Sequence, residues 1–291
     1  AVVPMTMNFV RSPDTGGPDG KGRFLIAVNS GYGLTFTSKS KPQQTLSVID
    51  LNAKPEPVVV QTLYFPAPQS ANVGLVFDPV LQHDGRYRFY VAGGYENKIW
   101  LMGLDPKAAK PVTPANKPDE RVAAPFIDVA AFAENAPSPN YNDNVAAVYP
   151  TGIALGPDGE SLYSANDLAD SLGIIRDLRD TRKIERVGLR RPGSAQFVYP
   201  YDVKVLPAGK RAAKIYVSLW GDGSIAVVDP AFKNRVSHIT VGRHPTAMIF
   251  NKAKSRLIVV NSDADTVSVI DTRTDRVVET INVKLAEKEQ I

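Results

Sequence analysis

The chain has 291 residues, 43% of them hydrophobic, and 34 basic against 30 acidic side chains give a formal net charge of +4. Cysteine is absent, which excludes disulfides, thiolate metal sites and thiol catalysis. The charges are dispersed, with no basic stripe interleaved with aromatics, so the pattern of a nucleic-acid-binding protein is missing, and no apolar run is long enough to span a bilayer. With 23 Pro and 21 Gly the composition suits many short strands and turns.

In chain order, Ala1 to Asn8 reads as a stray strand, with Val2-Val3 expected to complete a sheet begun elsewhere and so cover an unpaired edge. A Gly-rich hairpin from Asp14 to Gly22 leads to the strand Ile26-Ala27-Val28-Asn29. The long polar connection Asn29 to Gln44 carries Tyr32 and Phe36 and is either a binding loop, a lid or a solvated insertion. Leu46 to Asp50 follows. A second unit turns at His83-Asp84-Gly85, continues through Tyr90-Val91-Ala92-Gly93 and ends a strand at Asp105. Residues 106–125, rich in Pro, Ala and Lys, read as a surface excursion. Asn140-Tyr141-Asn142-Asp143-Asn144 either holds its own turn by Asx bonds or binds a cation or sugar. A third unit starts at Tyr149-Pro150, turns at Gly156-Pro157-Asp158-Gly159 and runs through Tyr163-Ser164-Ala165-Asn166 to Asp177. A fourth starts at Tyr199-Pro200, passes Tyr216 to Leu219, Trp220 and Gly221-Asp222-Gly223, and ends at Asp229.

The fifth unit, Arg243 to Val283, is the clearest. Four runs rich in Val, Ile and Thr are separated by Asn, Asp, Ser and Lys: Thr246 to Phe250, Arg256 to Asn261, Thr266 to Ile270 and Arg276 to Ile281. Each run is strand-like, and together they form a four-stranded antiparallel meander. A sheet of that size cannot bury both faces alone. The same order of landmarks recurs throughout the chain: an aromatic or His before Pro, a small-residue second strand, and a strand-ending Asp at Asp50, Asp105, Asp177, Asp229 and Asp271. The predicted fold is therefore an all-β propeller of four-stranded blades, one domain over residues 1–291 with blades at about 7–65, 71–129, 149–189, 199–241 and 243–283. The repeated Asp is expected to accept backbone N–H groups two residues on.

The second-strand words YSAN at Tyr163 and IVVN at Ile258 resemble the YVTN repeat of YncE-like propellers. The longer words at Asn29 to Gly33, Pro68 to Gly74, Asn97 to Trp100, Tyr141 to Asn144 and Val259 to Asp271 resemble the propeller half of bacterial proteins that join such a propeller to an alkaline-phosphatase-type phosphoesterase. The resemblance implies a seven-bladed ring, of which five blades are present here, a phosphoesterase domain C-terminal to them, and a periplasmic or secreted location.

No GxSxG elbow, P-loop, HExxH, EF-hand or dinucleotide fingerprint is present. The three histidines, His83, His238 and His244, are too few and too scattered for a two-metal phosphoesterase centre, so no metal or cofactor is expected and phosphatase activity would belong to the other domain. What remains is the usual binding rim of a propeller. Tyr149, Tyr199 and His244 precede first strands, and Asn29, Asn166, Trp220 and Asn261 end second strands. Asp202 lies two residues into a first strand. Aromatic rings, amides and a carboxylate at these places suit a polar ligand, although Tyr149 and Tyr199 can equally wedge neighbouring blades. Two functions stand open: a non-catalytic binding or scaffold module beside a phosphoesterase domain, and a lactonase-type hydrolase in which Asp202 and His244 would carry the chemistry.

Overall fold

The computed structural model describes residues 7–30, 43–133 and 148–284. The first sheet is β1 (Met7–Arg11), β2 (Phe24–Asn29), β3 (Gln43–Asp50) and β4 (Val58–Pro66). The second is β5 (Leu75–Leu81), β6 (Tyr87–Ala92) and β7 (Lys98–Leu104), with its outer place divided between β8 (Val112–Thr113) and β9 (Phe126–Asp128), both paired to β7. The third is β10 (Pro150–Leu155), β11 (Leu162–Asn166), β12 (Ser171–Arg176) and β13 (Lys183–Gly188). The fourth is β14 (Pro200–Ala208), β15 (Arg211–Leu219), β16 (Ser224–Asp229) and β17 (Arg235–Thr240), and the fifth β18 (Pro245–Phe250), β19 (Arg256–Asn261), β20 (Thr266–Asp271) and β21 (Arg276–Asn282). Every sheet runs in sequence order, as a meander must, and the five are the four-stranded antiparallel blades of a β-propeller.

The described residues form two compact units, one of residues up to 133 together with 148–153, the other beginning at 154. The first unit's core lies between the faces of its two sheets: Ile26, Val28, Leu46 and Val48 meet Leu75, Phe89, Val91 and Trp100. In the second unit Tyr163, Leu172 and Ile174 meet Val203, Ile215, Val217 and Val228, and Tyr216, Ile225, Val227 and Ile239 meet Met248, Leu257, Val259 and Ile270. In the fourth sheet, which has a neighbour on each face within the second unit, the mid-sheet strand β16 is buried almost throughout. In β19 burial alternates, with Leu257 and Val259 inside and Val260 exposed, because successive side chains point to opposite faces. Each such aliphatic side chain contributes about 1.5–3 kcal/mol on full burial, which is how short sheets of marginal independent stability come to hold.

The strand-ending aspartates act as expected at four of five places. Asp50, Asp105, Asp229 and Asp271 each accept, through Oδ1, the N–H two residues on, from Asn52, Lys107, Ala231 and Arg273 at 2.9–3.0 Å. Asp177 departs. It lies one residue beyond β12 at a φ of 53°, so its carbonyl closes the turn, accepting from Asp180 and Arg182, and its carboxylate reaches only the exposed Lys183 ammonium at 3.1 Å. Several sequence expectations lie outside the described residues: the Val2-Val3 strand, Tyr32 and Phe36 with the loop around them, the Asn140 to Asn144 cluster, and the tail from residue 285.

Candidate ligand-binding corners

Tyr149, Tyr199 and His244 share an unusual backbone. Their φ angles are 54°, 47° and 50°, in the left-handed region that a residue with a Cβ occupies only at a cost of about 1–2 kcal/mol. Each precedes a proline, which disfavours the right-handed helical alternative. The strain persists because the surroundings determine the corner from several sides. In the first unit, Asn97 Oδ1 accepts N–H groups from both Val148, at 2.7 Å, and Tyr149, at 3.0 Å. In the second, Asp170 Oδ1 does the same for Val198, at 2.8 Å, and Tyr199, at 3.1 Å. Asn97 and Asp170 are themselves left-handed, at 55° and 46°, and each is the last residue of the turn into a third strand. The residue in the corresponding turn of the fourth sheet is Gly223, which has no side chain to offer, and there the His244 corner is held instead by Trp220.

The corner rings rest on glycines. A Cβ on Gly94 would stand 3.5 Å from Tyr149 Cζ, and one on Gly221 would stand 2.8 Å from Tyr199 Cδ2, so Gly221 in particular is what lets the ring lie flat on the chain. The second unit then carries an unbroken aromatic row. Arg190 lies 4.2 Å above the Phe197 ring, Phe197 and Tyr199 are 6.0 Å apart, Tyr199 meets Trp220 edge-on at 6.1 Å, and Trp220 stacks on His244 at 3.8 Å with the planes within 6°. Asp263 closes the row, its Oδ2 3.4 Å from His244 Nδ1. Trp220 is 37% exposed.

Of the residues singled out from sequence, the structure brings together Tyr199, Trp220 and His244. Tyr149 and Asn29 belong to the first unit. The three asparagines face into their own sheets: Asn29 Nδ2 donates to Thr45 and Ser47 hydroxyls at 3.0 Å, Asn261 Nδ2 to those of Thr266 and Ser268 at 3.0 and 2.9 Å, and Asn166 Nδ2 to Ser171 at 3.2 Å. Asn166 and Asn261 are fully buried, so they clamp the second strand to the third. Trp220 is not their equivalent, since the register that pairs Asn166 with Ser171 and Asn261 with Thr266 pairs Leu219 with Ser224, leaving Trp220 one residue further out on the rim. Asp202 is also committed. Its Oδ2 accepts the Met248 N–H at 2.9 Å, and Oδ1 takes the Val203 N–H at 2.8 Å and the Lys204 ammonium at 2.9 Å, tying β14 to β18. His238 Nε2 donates to the Leu189 carbonyl at 2.8 Å.

Sequence reasoning passed over Asp167 and Asp170. Asp170 carries the latch and pairs with Arg190 Nε at 2.6 Å. Asp167 follows Asn166 directly and so holds the rim place that Trp220 holds in the next sheet. Half-buried and given no cationic partner, it has its carboxyl pushed up to about 7 by desolvation and by the charge of Asp170. The Tyr199 hydroxyl is raised by burial first and then by the charges of Asp167 and Asp170, which places that carboxylate pair near the aromatic row. The only signal available in the sequence was the Asp167-Leu168-Ala169-Asp170 run after a second-strand Asn. Among the described residues, no three His, Asp or Glu side chains are grouped to hold a metal ion, and no helix is long and apolar enough to cross a membrane.

No family model and no curated protein sequence matches the chain. Solved structures do. A protein of unknown function from Desulfotomaculum acetoxidans superposes with a TM-score of 0.61 at 14% identity, over 95% of this chain and 71% of its own. The periplasmic gluconolactonase PpgL of Pseudomonas aeruginosa gives 0.56 at 16%, over 96% and 85%. A catalytically inactive virginiamycin B lyase from Staphylococcus aureus, solved with quinupristin, gives 0.54 at 11%, over 97% and 75%. At such identities the similarity establishes the fold.

Proposed function

We propose that this chain is a non-catalytic binding module that takes a small polar ligand whose ring presents an apolar face, such as a sugar, on the Tyr199, Trp220 and His244 row. The observation that carries the reading is the Trp220–His244 stack, held on a strained corner and partly open to solvent. Aromatic faces bind sugar rings by stacking while neighbouring polar groups fix orientation, and Gln196 and Arg243 lie on the same stretches of chain. Three nearby carboxylates are occupied in structural bonds: Asp170 in its latch, Asp202 between strands, and Asp222 with Arg191 at 3.1 Å. We further propose that the module serves a phosphoesterase domain of the same polypeptide in an extracytoplasmic compartment. The YncE-like sequence words support the first part, and the periplasmic description of the gluconolactonase with the same fold supports the second.

The chain contains its own reporter. Of its two tryptophans, Trp100 is 2% exposed, so ligand-dependent emission arises from Trp220. Titration with glucose, N-acetylglucosamine and cellobiose should shift or quench that emission saturably, and Tyr199→Ala should weaken it at least tenfold. Absence of any saturable change at tens of millimolar sugar would refute the reading. One observation favours a lactonase-type hydrolase as a second reading: Asp167, a carboxyl titrating near neutrality beside the row, is placed for general acid or base work. Turnover of gluconolactone that Asp167→Asn abolishes would establish it in place of the first.

A further inference from the structure

The second sheet carries an independent feature on its other face. Arg86 and Arg88 stand two residues apart around the start of β6, so both side chains leave the same face. Arg88 pairs across the sheet with Gly103, and Gly103 with Thr113 on β8. Gly103 offers no side chain, and a Cβ there would meet Thr113 Oγ1 at 3.2 Å and Arg86 Cδ at 3.3 Å. The result is a notch in which the Arg86 stem and the Thr113 hydroxyl lie over the Gly103 backbone and the Arg88 side chain leaves the same face. It opens into a groove of about 640 Å³ whose other wall is Leu101, Pro114, Ala123 and Pro125. Arg86 is exposed and Arg88 half-buried, yet neither guanidinium has a hydrogen bond or ion pair among the described residues. Elsewhere in the chain, Arg23, Arg190, Arg191 and Arg256 each meet a carboxylate. Asp84, the one carboxylate lining this groove, accepts the Arg86 backbone N–H at 3.1 Å to close its hairpin.

We propose that this groove is a binding site for a small organic oxyanion, a phosphate monoester or carboxylate joined to a flat apolar group. Two unpaired forks on one strand face suit bidentate recognition of an oxyanion, and the Leu and Pro wall beside them covers an apolar substituent and lowers the dielectric around the charges. The site lies wholly within the first unit and does not depend on the aromatic corners of the second.

Calorimetric titration of the full 291-residue chain with inorganic phosphate, phenyl phosphate, benzoate and benzyl alcohol tests it. Phenyl phosphate or benzoate should bind, with benzyl alcohol silent and inorganic phosphate at least tenfold weaker than phenyl phosphate. Preference for phenyl phosphate assigns the dianion, and preference for benzoate the carboxylate. Arg86→Gln and Arg88→Gln should each weaken binding about fivefold or more and their combination should remove it, Arg88→Lys should restore part, and Gly103→Val should weaken it by displacing the Arg86 stem with both arginines retained. Because both arginines are at the surface, the single variants should keep the parent melting temperature. A double variant that titrates like the parent, an equal loss in the distant Arg276→Gln, or no binding of either aromatic anion at millimolar concentration would overturn the proposal.

Discussion

Removing the carboxylate of Asp170 should separate the latch from the ion pair. In Asp170→Ala the buried N–H of Val198 and that of Tyr199 lose their acceptor, and Arg190 loses its partner. A hydrogen bond to a charged group contributes about 1.5–3 kcal/mol, so the two together are worth roughly 3–5 kcal/mol once partial solvent access to the Tyr199 amide is allowed for. The Arg190 side chain is 23% exposed, so the pair itself adds only about 1 kcal/mol. Asp170→Asn keeps an Oδ1 acceptor, and Asn97 demonstrates in the first unit that an amide makes the same two bonds. Urea denaturation should therefore show Asn costing about 1–2 kcal/mol and Ala roughly 4–6 kcal/mol. Hydrogen exchange should show the Val198 and Tyr199 amides losing protection in Ala alone. Equal midpoints for the two variants, or unchanged protection in Ala, would refute the latch.

Other expectations follow from the same geometry. Asp271→Ala, which removes acceptor bonds from Arg273 and Thr274, should lower stability by about 1 kcal/mol, whereas Asp177→Ala should cost less, because its turn is closed by backbone. Thermal melts of both variants compare them directly, and equal losses would contradict the distinction. Asp167 has a folded-state value of about 7 against 3.8 for an ordinary aspartate, so the unfolded chain releases its proton first as pH rises. Stability is lost between about pH 4 and 7 and is flat above; accordingly Asp167→Asn should leave the melting temperature unchanged below pH 4 and raise it increasingly up to pH 7, and a pH-independent difference would disprove the assignment. Gly74→Ala should be severely destabilising, since the added Cβ would stand 2.1 Å from the Thr151 carbonyl oxygen. A variant that folds with the parent midpoint would mean the backbone there yields easily.

How far the sequence reaches can be seen in particular residues. The strands of the fifth sheet form within a residue of the expected bounds, because alternation, Asx turns and β-branched residues are local signals. Four strand-ending aspartates took their expected acceptor role, and Asp177 differed because its backbone is left-handed, at a φ of 53°, which turns its carbonyl rather than its carboxylate to the turn amides. At the rim the sequence was half legible. It pointed to Tyr199, Trp220 and His244 as Pro-led or strand-end positions, but it treated Asn29, Asn166 and Asn261 as rim groups when their amides turn inward to Thr and Ser hydroxyls one strand away.

What the linear chain determined on its own is the repeat: five meanders, their turns and their register, all set by contacts a few residues apart. Which rim side chains meet was decided only by packing of one sheet on the next. That stacking puts Trp220 on His244 and leaves Asp167 without a cation while Asp170 takes Arg190. Desolvation and pairing depend on neighbours distant in sequence, and no local pattern encodes them.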